Sequence, residues 1–160
     1  MKYLLLPLLL LAGCASGPDP VSWTQPVRSE QAAFLWKHSG GSLAGNATIL
    51  SDSTGNVMIQ LNKNLPQPLL ELTSTRVGQF SATGPLAGGG WSGDASNAPL
   101  RFSLWTALAA AWRGAQPANE GRQEVHTSAY RAAMWKQGGR LRELSVSSSD
   151  NGEVVRLVFR

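Results

Sequence analysis

Between residues 57 and 62 the apolar side chains Val57, Ile59 and Leu61 alternate with Met58, Gln60 and Asn62. A period of two puts alternate side chains on opposite faces, so residues 56–62 read as a half-buried strand of an antiparallel sheet with one dry face. Nothing else narrows the fold as much, because strand signals recur along most of the chain. Residues 43–50 precede this strand, and Ser51-Asp52-Ser53-Thr54-Gly55 is the hairpin signal that joins them. Residues 69–77 form a third run after the break at Pro66-Gln67-Pro68, and 79–83 and 90–93 are short strands around Gly84-Pro85. Past residue 120, the runs 123–127, 130–136, 141–147 and 153–159 form a meander. Its turns, Gln137-Gly138-Gly139 and Ser149-Asp150-Asn151-Gly152, are rich in residues that accept positive φ. The many Gly, Ala, Ser and Thr residues suit strands that bend sharply.

Two segments carry helical spacing instead. Over 27–38, Phe34, Leu35 and His38 share a face with Val27 and Gln31, and Gly40-Gly41 is a stop signal. A second helix starts near Pro99, which loses nothing at a first helical position, and ends at Gly114. Its stripe is Leu104, Trp105, Leu108, Ala111 and Trp112. Leu100, Phe102 and the alanines of 107–110 widen that stripe, so this helix needs apolar surroundings on most sides. The expectation is a mainly β, α+β fold: a curved antiparallel sheet, or incomplete barrel, with two helices packed on its concave side.

The N-terminus sets a destination. Lys2 precedes a short apolar run, Leu4 to Leu11, interrupted only by Pro7. That is far below the ~20 residues a membrane-spanning helix needs, and it reads as a secretory signal. The run ends in Leu11-Ala12-Gly13-Cys14, which resembles the lipobox of bacterial lipoproteins. The resemblance implies cleavage after Gly13 and acylation of Cys14. Cys14 is the sole cysteine, so an exported domain has no internal disulfide to make with it. Several acyl chains on one residue give stable anchoring. Residue 15 is Ala rather than the Asp that retains lipoproteins at the inner membrane, which implies the outer membrane, facing the periplasm. The organisation expected is a signal peptide over 1–13, a lipidated Cys and tether over 14–26 with Pro18, Pro20 and Pro26, and one domain over 27–160. Without the signal, 147 residues remain with 13 basic and 10 acidic side chains, enough for one core. The basic residues are scattered, which gives nucleic-acid binding no support.

The element order resembles the LolA and LolB carriers and receptors of bacterial lipoproteins. The local match is Phe80-Ser81-Ala82-Thr83-Gly84-Pro85-Leu86-Ala87-Gly88, followed by Trp91. The resemblance implies an apolar cavity between concave sheet and helices, and a loop tip at Leu86 that meets membrane or cargo. Leu65, between Asn64 and Pro66, is a second apolar tip of that kind. Exposing a leucine costs about 1–3 kcal/mol, which insertion into lipid would offset. The chain departs from the family in having fewer strands and a short tail after its last hairpin.

Directed chemistry finds few handles. Gly88, Gly90 and Gly93 match the spacing of a dinucleotide loop, but no helix signal follows at Asp94-Ala95-Ser96-Asn97. The two histidines, His38 and His126, have no ligand partner at i+3 or i+4, so no metal or cofactor is expected. No serine elbow or Ser-x-x-Lys pair occurs. Glu71, Glu124 and Glu143 fall in strands and are expected to face solvent. Trp91, Trp105, Trp112 and Trp135 are expected to converge, as core or as the lining of an acyl-chain cavity. Arg131, Arg140, Arg142 and Arg156 lie on neighbouring strands, as a solvated face or a seat for phosphate-bearing lipid. The expected function is non-catalytic: a carrier or receptor for lipid or acylated lipoprotein cargo. The alternatives are an envelope scaffold binding a protein partner and, last, a hydrolase.

Overall fold

A computed structural model describes residues 25–64, 66–115 and 119–160. Gly13, Cys14 and Leu65, the signal segment and nearly all of the tether lie outside the described residues. Six strands come first: β1 (Pro26–His38), β2 (Gly41–Asp52), β3 (Val57–Asn62), β4 (Leu70–Ser74), β5 (Gln79–Thr83) and β6 (Trp91–Asp94). Helix α1 (Ser103–Ala115) follows a 3-10 turn at Leu100–Phe102. Strands β7 (Gly121–His126), β8 (Tyr130–Gln137), β9 (Arg140–Ser148) and β10 (Val154–Phe159) complete the chain. All ten form one antiparallel sheet in the order β6-β5-β4-β3-β2-β1-β10-β9-β8-β7. Two meanders therefore meet at the β1–β10 pair, and α1 connects their outer edges. The sheet does not close into a barrel: β6 and β7 are its two edges.

The curvature follows from what α1 touches. A helix of 13 residues is about 20 Å long. It contacts both β4 and β8, which stand six strand spacings apart, or ~29 Å across a flat sheet. The sheet must curl round the helix for both contacts to form. Its inner face carries Ala32, Phe34, Ile49, Ile59, Leu72, Leu144 and Leu157, all buried with the apolar side of α1. Gly45 lets β2 lie close to both of its neighbours, β1 and β3. It faces Phe34, and an added Cβ would lie 2.3 Å from the Asn62 carbonyl oxygen and 2.8 Å from the Phe34 ring.

One expected helix is a strand. Residues 27–38 belong to β1, so the fold holds one α-helix among the described residues rather than two. The apolar run Ala32–Trp36 satisfies a period of two as well as one of 3.6. Ala32 and Phe34 are buried, Trp36 packs against the same core, and Ala33 and Leu35 face the other side. The decision comes from the partners: β2 pairs along the length of β1, and β10 pairs with residues 32–37 on its other edge. Gly40 and Gly41 consequently make a hairpin turn instead of a helix stop, with the Gly40 N–H donating to His38 Nδ1 at 3.1 Å. The remaining strands and α1 fall where the sequence places them, with ends shifted by a few residues.

Candidate functional site

The stripe of α1 lies against the inner face of the sheet. Leu104, Trp105, Leu108, Ala111 and Trp112 are all buried there. Trp105 meets Trp36 edge-on at 5.2 Å, and Trp112 lies 5.5 Å from Phe159. The indole N–H of Trp112 donates to Ser51 Oγ at 3.0 Å, so its one polar atom is satisfied where the sheet surrounds it. One residue on, Arg113 donates to the Ser74 carbonyl oxygen at 3.4 Å and to Ser74 Oγ at 3.2 Å. A cation suits the last turn of a helix. Burial nevertheless lowers the pKa of this guanidinium, and no carboxylate pairs with it among the described residues.

Beside α1 the packing leaves room. A groove of about 350 Å³ runs between the helix and the β7–β8 hairpin, lined by Ala110, Ala111, Gly114, Asn119, Gln123, Val125, Tyr130, Ala132 and Met134. Small residues on this side of α1 create it, because Ala110 and Gly114 do not reach the overhanging hairpin. Gln123 and Val125 face inward there, opposite Met134 and Ala132. Sequence reading located the stripe but missed the groove; the alanine run ending at Gly114 was the available signal.

The loops after β3 and β5 lie side by side. Leu86 lies in the 3-10 turn Pro85–Ala87 after β5, 38% exposed, while its neighbour Ala87 is buried. The Leu86 N–H donates to the Leu69 carbonyl oxygen at 3.0 Å, which ties this loop to the one between β3 and β4. Asn64 and Pro66 bracket Leu65 on that second loop, and Asn64 has a φ of +51°. Both loops follow strands that run in the direction of β1, so they sit at the His38 end of the sheet. The described chain enters at the opposite end.

The strand carboxylates face outward and apart. Glu124 accepts from Arg131 Nη2 at 2.5 Å, with His126 Nε2 at 3.3 Å and Arg122 Nη2 at 3.4 Å. The hydrogen bond from Arg131, then that from His126, holds the Glu124 carboxyl below its ordinary pKa. Arg156 donates to Glu143 at 2.6 Å, and Glu71 accepts from Gln60 Nε2 at 2.8 Å. His38 stacks on Trp36 at 4.5 Å, far along the chain from His126 and on the other face of the sheet. No group of three His, Cys, Asp or Glu side chains with metal-binding geometry occurs among the described residues. Trp135 departs from its expected convergence with the other tryptophans: it lies on the convex face, 44% exposed, next to Glu143. Trp36 takes its place inside. The glycine-rich segment ends in β6 and a three-residue 3-10 turn capped by Asp94, which offers no helix for a pyrophosphate. Among the described residues no helix is long and apolar enough to cross a membrane.

No protein-family model matches the sequence, and no curated protein is similar to it. Among solved structures, the chain is similar to isotype 1 transferrin binding protein B from serogroup B Neisseria meningitidis. That match has 16% identity and a TM-score of 0.34, and it covers 89% of this chain. The chain spans 27% of the length of that protein. A likeness of this strength assigns neither a family nor a function.

Proposed function

We propose that the chain is an outer-membrane lipoprotein facing the periplasm, anchored through Cys14, that binds lipid or the acyl groups of other lipoproteins without catalysing a reaction. The observation that carries this reading is the apolar groove of about 350 Å³ beside α1. Its size falls in the ~300–1,000 Å³ range of small-ligand sites, and its lining is largely aliphatic, with Asn119 and Gln123 toward one end and Tyr130 toward the other. Affinity in such a groove comes from removing apolar area from water, so no single polar residue is indispensable. The loops of Leu65 and Leu86 fit the same reading as a contact for cargo. From Cys14 to Pro26 the tether reaches at most ~40 Å, and β1 stands about as tall. The described chain enters the sheet at the end opposite Leu86.

Two measurements test the reading separately. The intact mass of the mature chain reports acylation, through the added diacylglyceryl and acyl groups on Cys14. Native mass spectrometry with organic extraction of the mature chain, residues 14–160 carrying Cys14→Ser, reports bound lipid. Ala110 is exposed, so Ala110→Trp fills the groove without entering the core; it is expected to abolish the co-purifying acyl species while the melting temperature holds. A folded chain that is empty, and ignores added fatty acid and acylated peptide, overturns the carrier reading. The envelope-scaffold reading has one observation in its favour: Trp135 and Val158 are both exposed on the convex face, on either side of Glu143.

A further inference from the structure

We infer that the end of the sheet where β1 begins is a docking surface for the anionic head groups of a phospholipid bilayer. This rests on the membrane-anchored reading above, and it names the face that reading leaves open. The start of β1, the β2–β3 and β4–β5 turns, the C-terminal end of α1, the β8–β9 turn and the end of β10 all lie at this end. Trp112 marks its centre, and a groove opens on each side. One, of about 330 Å³, has Arg76 and Arg113 in its lining; the other, of about 380 Å³, has Arg28, Arg140 and Arg160.

The acids in these linings are already engaged. Asp52 accepts from Thr54 N at 2.9 Å, Thr54 Oγ1 at 2.7 Å, Asn56 N at 2.9 Å and Asn56 Nδ2 at 2.8 Å. Glu30 is bridged to Arg28. Arg76, Arg113, Arg140 and Arg160 have no carboxylate partner among the described residues. Four guanidiniums without a carboxylate partner line the grooves at this end, and Arg113 is half-buried as well. An anion seated beside Arg113 offsets that burial, and guanidinium geometry matches phosphate oxygens. Two exposed valines accompany the arginines: Val27 is 71% exposed at the start of β1 and Val77 84% exposed in the β4–β5 turn. Basic groups with adjacent apolar side chains fit the head-group region of a bilayer better than they fit a soluble anion. The tether that carries Cys14 joins the described chain at this same end.

The test uses the mature chain, residues 14–160 carrying Cys14→Ser, so that binding owes nothing to the signal run or to acylation, in flotation with phosphatidylcholine vesicles with and without about one-third phosphatidylglycerol. Preferential binding to the anionic vesicles, weakened by salt, is expected. Arg76→Gln with Arg140→Gln, both at exposed positions, should weaken it roughly 25-fold, at about fivefold per arginine lost from the lipid surface. Lys63→Gln, in the loop at the opposite end, should leave it unchanged. Equal binding to neutral and anionic vesicles overturns the proposal, as does a double variant that binds like its parent with an unchanged melting curve. Inorganic phosphate at millimolar concentration that releases the chain where equal ionic strength of chloride does not also overturn it, because the seat is then a small-anion site. Binding to an acidic protein of the envelope with indifference to anionic vesicles assigns the surface to a protein partner instead. Acylation of Cys14 is read separately by intact mass, so either result stands without the other.

Discussion

At the scale of single residues, two positions show how little freedom the backbone leaves. Gly84 has a φ of +101°, and an added Cβ would lie 2.8 Å from the Leu69 carbonyl oxygen, the atom that accepts from Leu86. Gly84→Ala is therefore expected to strain the Leu86 loop by about 1–3 kcal/mol, lowering the melting temperature and speeding amide exchange at Leu86. Glu124 makes a prediction about pH. Its carboxyl is held below the ordinary value by Arg131 and then His126, so its folded pKa lies below its unfolded one. The stabilisation from these bonds is complete above the ordinary glutamate pKa and is lost as pH falls through the depressed folded value. NMR titration of the Glu124 side chain should show that low midpoint, and Arg131→Gln should raise it. The Glu124 ion pairs were hidden in the sequence because their members lie on different strands or two residues apart, where only the register brings them to one face.

At the scale of elements, α1 was legible and β1 was not, for the same reason. The apolar residues of α1 repeat at helical spacing across 13 residues, and no strand reading accommodates Leu104, Leu108, Ala111 and Trp112 on one side. In β1 the apolar run is short enough to satisfy both periods, and two flanking strands decide between them. The stripe of α1 holds the curled sheet together, so Leu108→Ala should cost about 2–5 kcal/mol by denaturant titration. Trp112→Phe keeps most of the packing but leaves Ser51 without its donor, and should cost ~1 kcal/mol. A Leu108 variant as stable as its parent would mean that α1 is not packed as described.

At the scale of the whole molecule, the meanders β1–β6 and β7–β10 are joined edge to edge only by the pairing of β1 with β10. Leu157 sits buried in that seam opposite Phe34. Leu157→Asp places an unpaired charge there, and tryptophan fluorescence and far-UV circular dichroism should be lost together in one transition at much lower denaturant. Survival of one meander after loss of the other would show that the two fold independently. By itself the sequence determined the class: alternation, turn residues and one apolar helix are local signals, each contained within a dozen residues, and they specify a mainly β chain around α1. Tertiary structure alone decided that residues 27–38 are a central strand, that the sheet stays open, that a groove lies beside α1, and that unpaired arginines gather where β1 begins. Each of these depends on residues distant in sequence meeting across the sheet, and an antiparallel ladder is satisfied by partners that no local window contains.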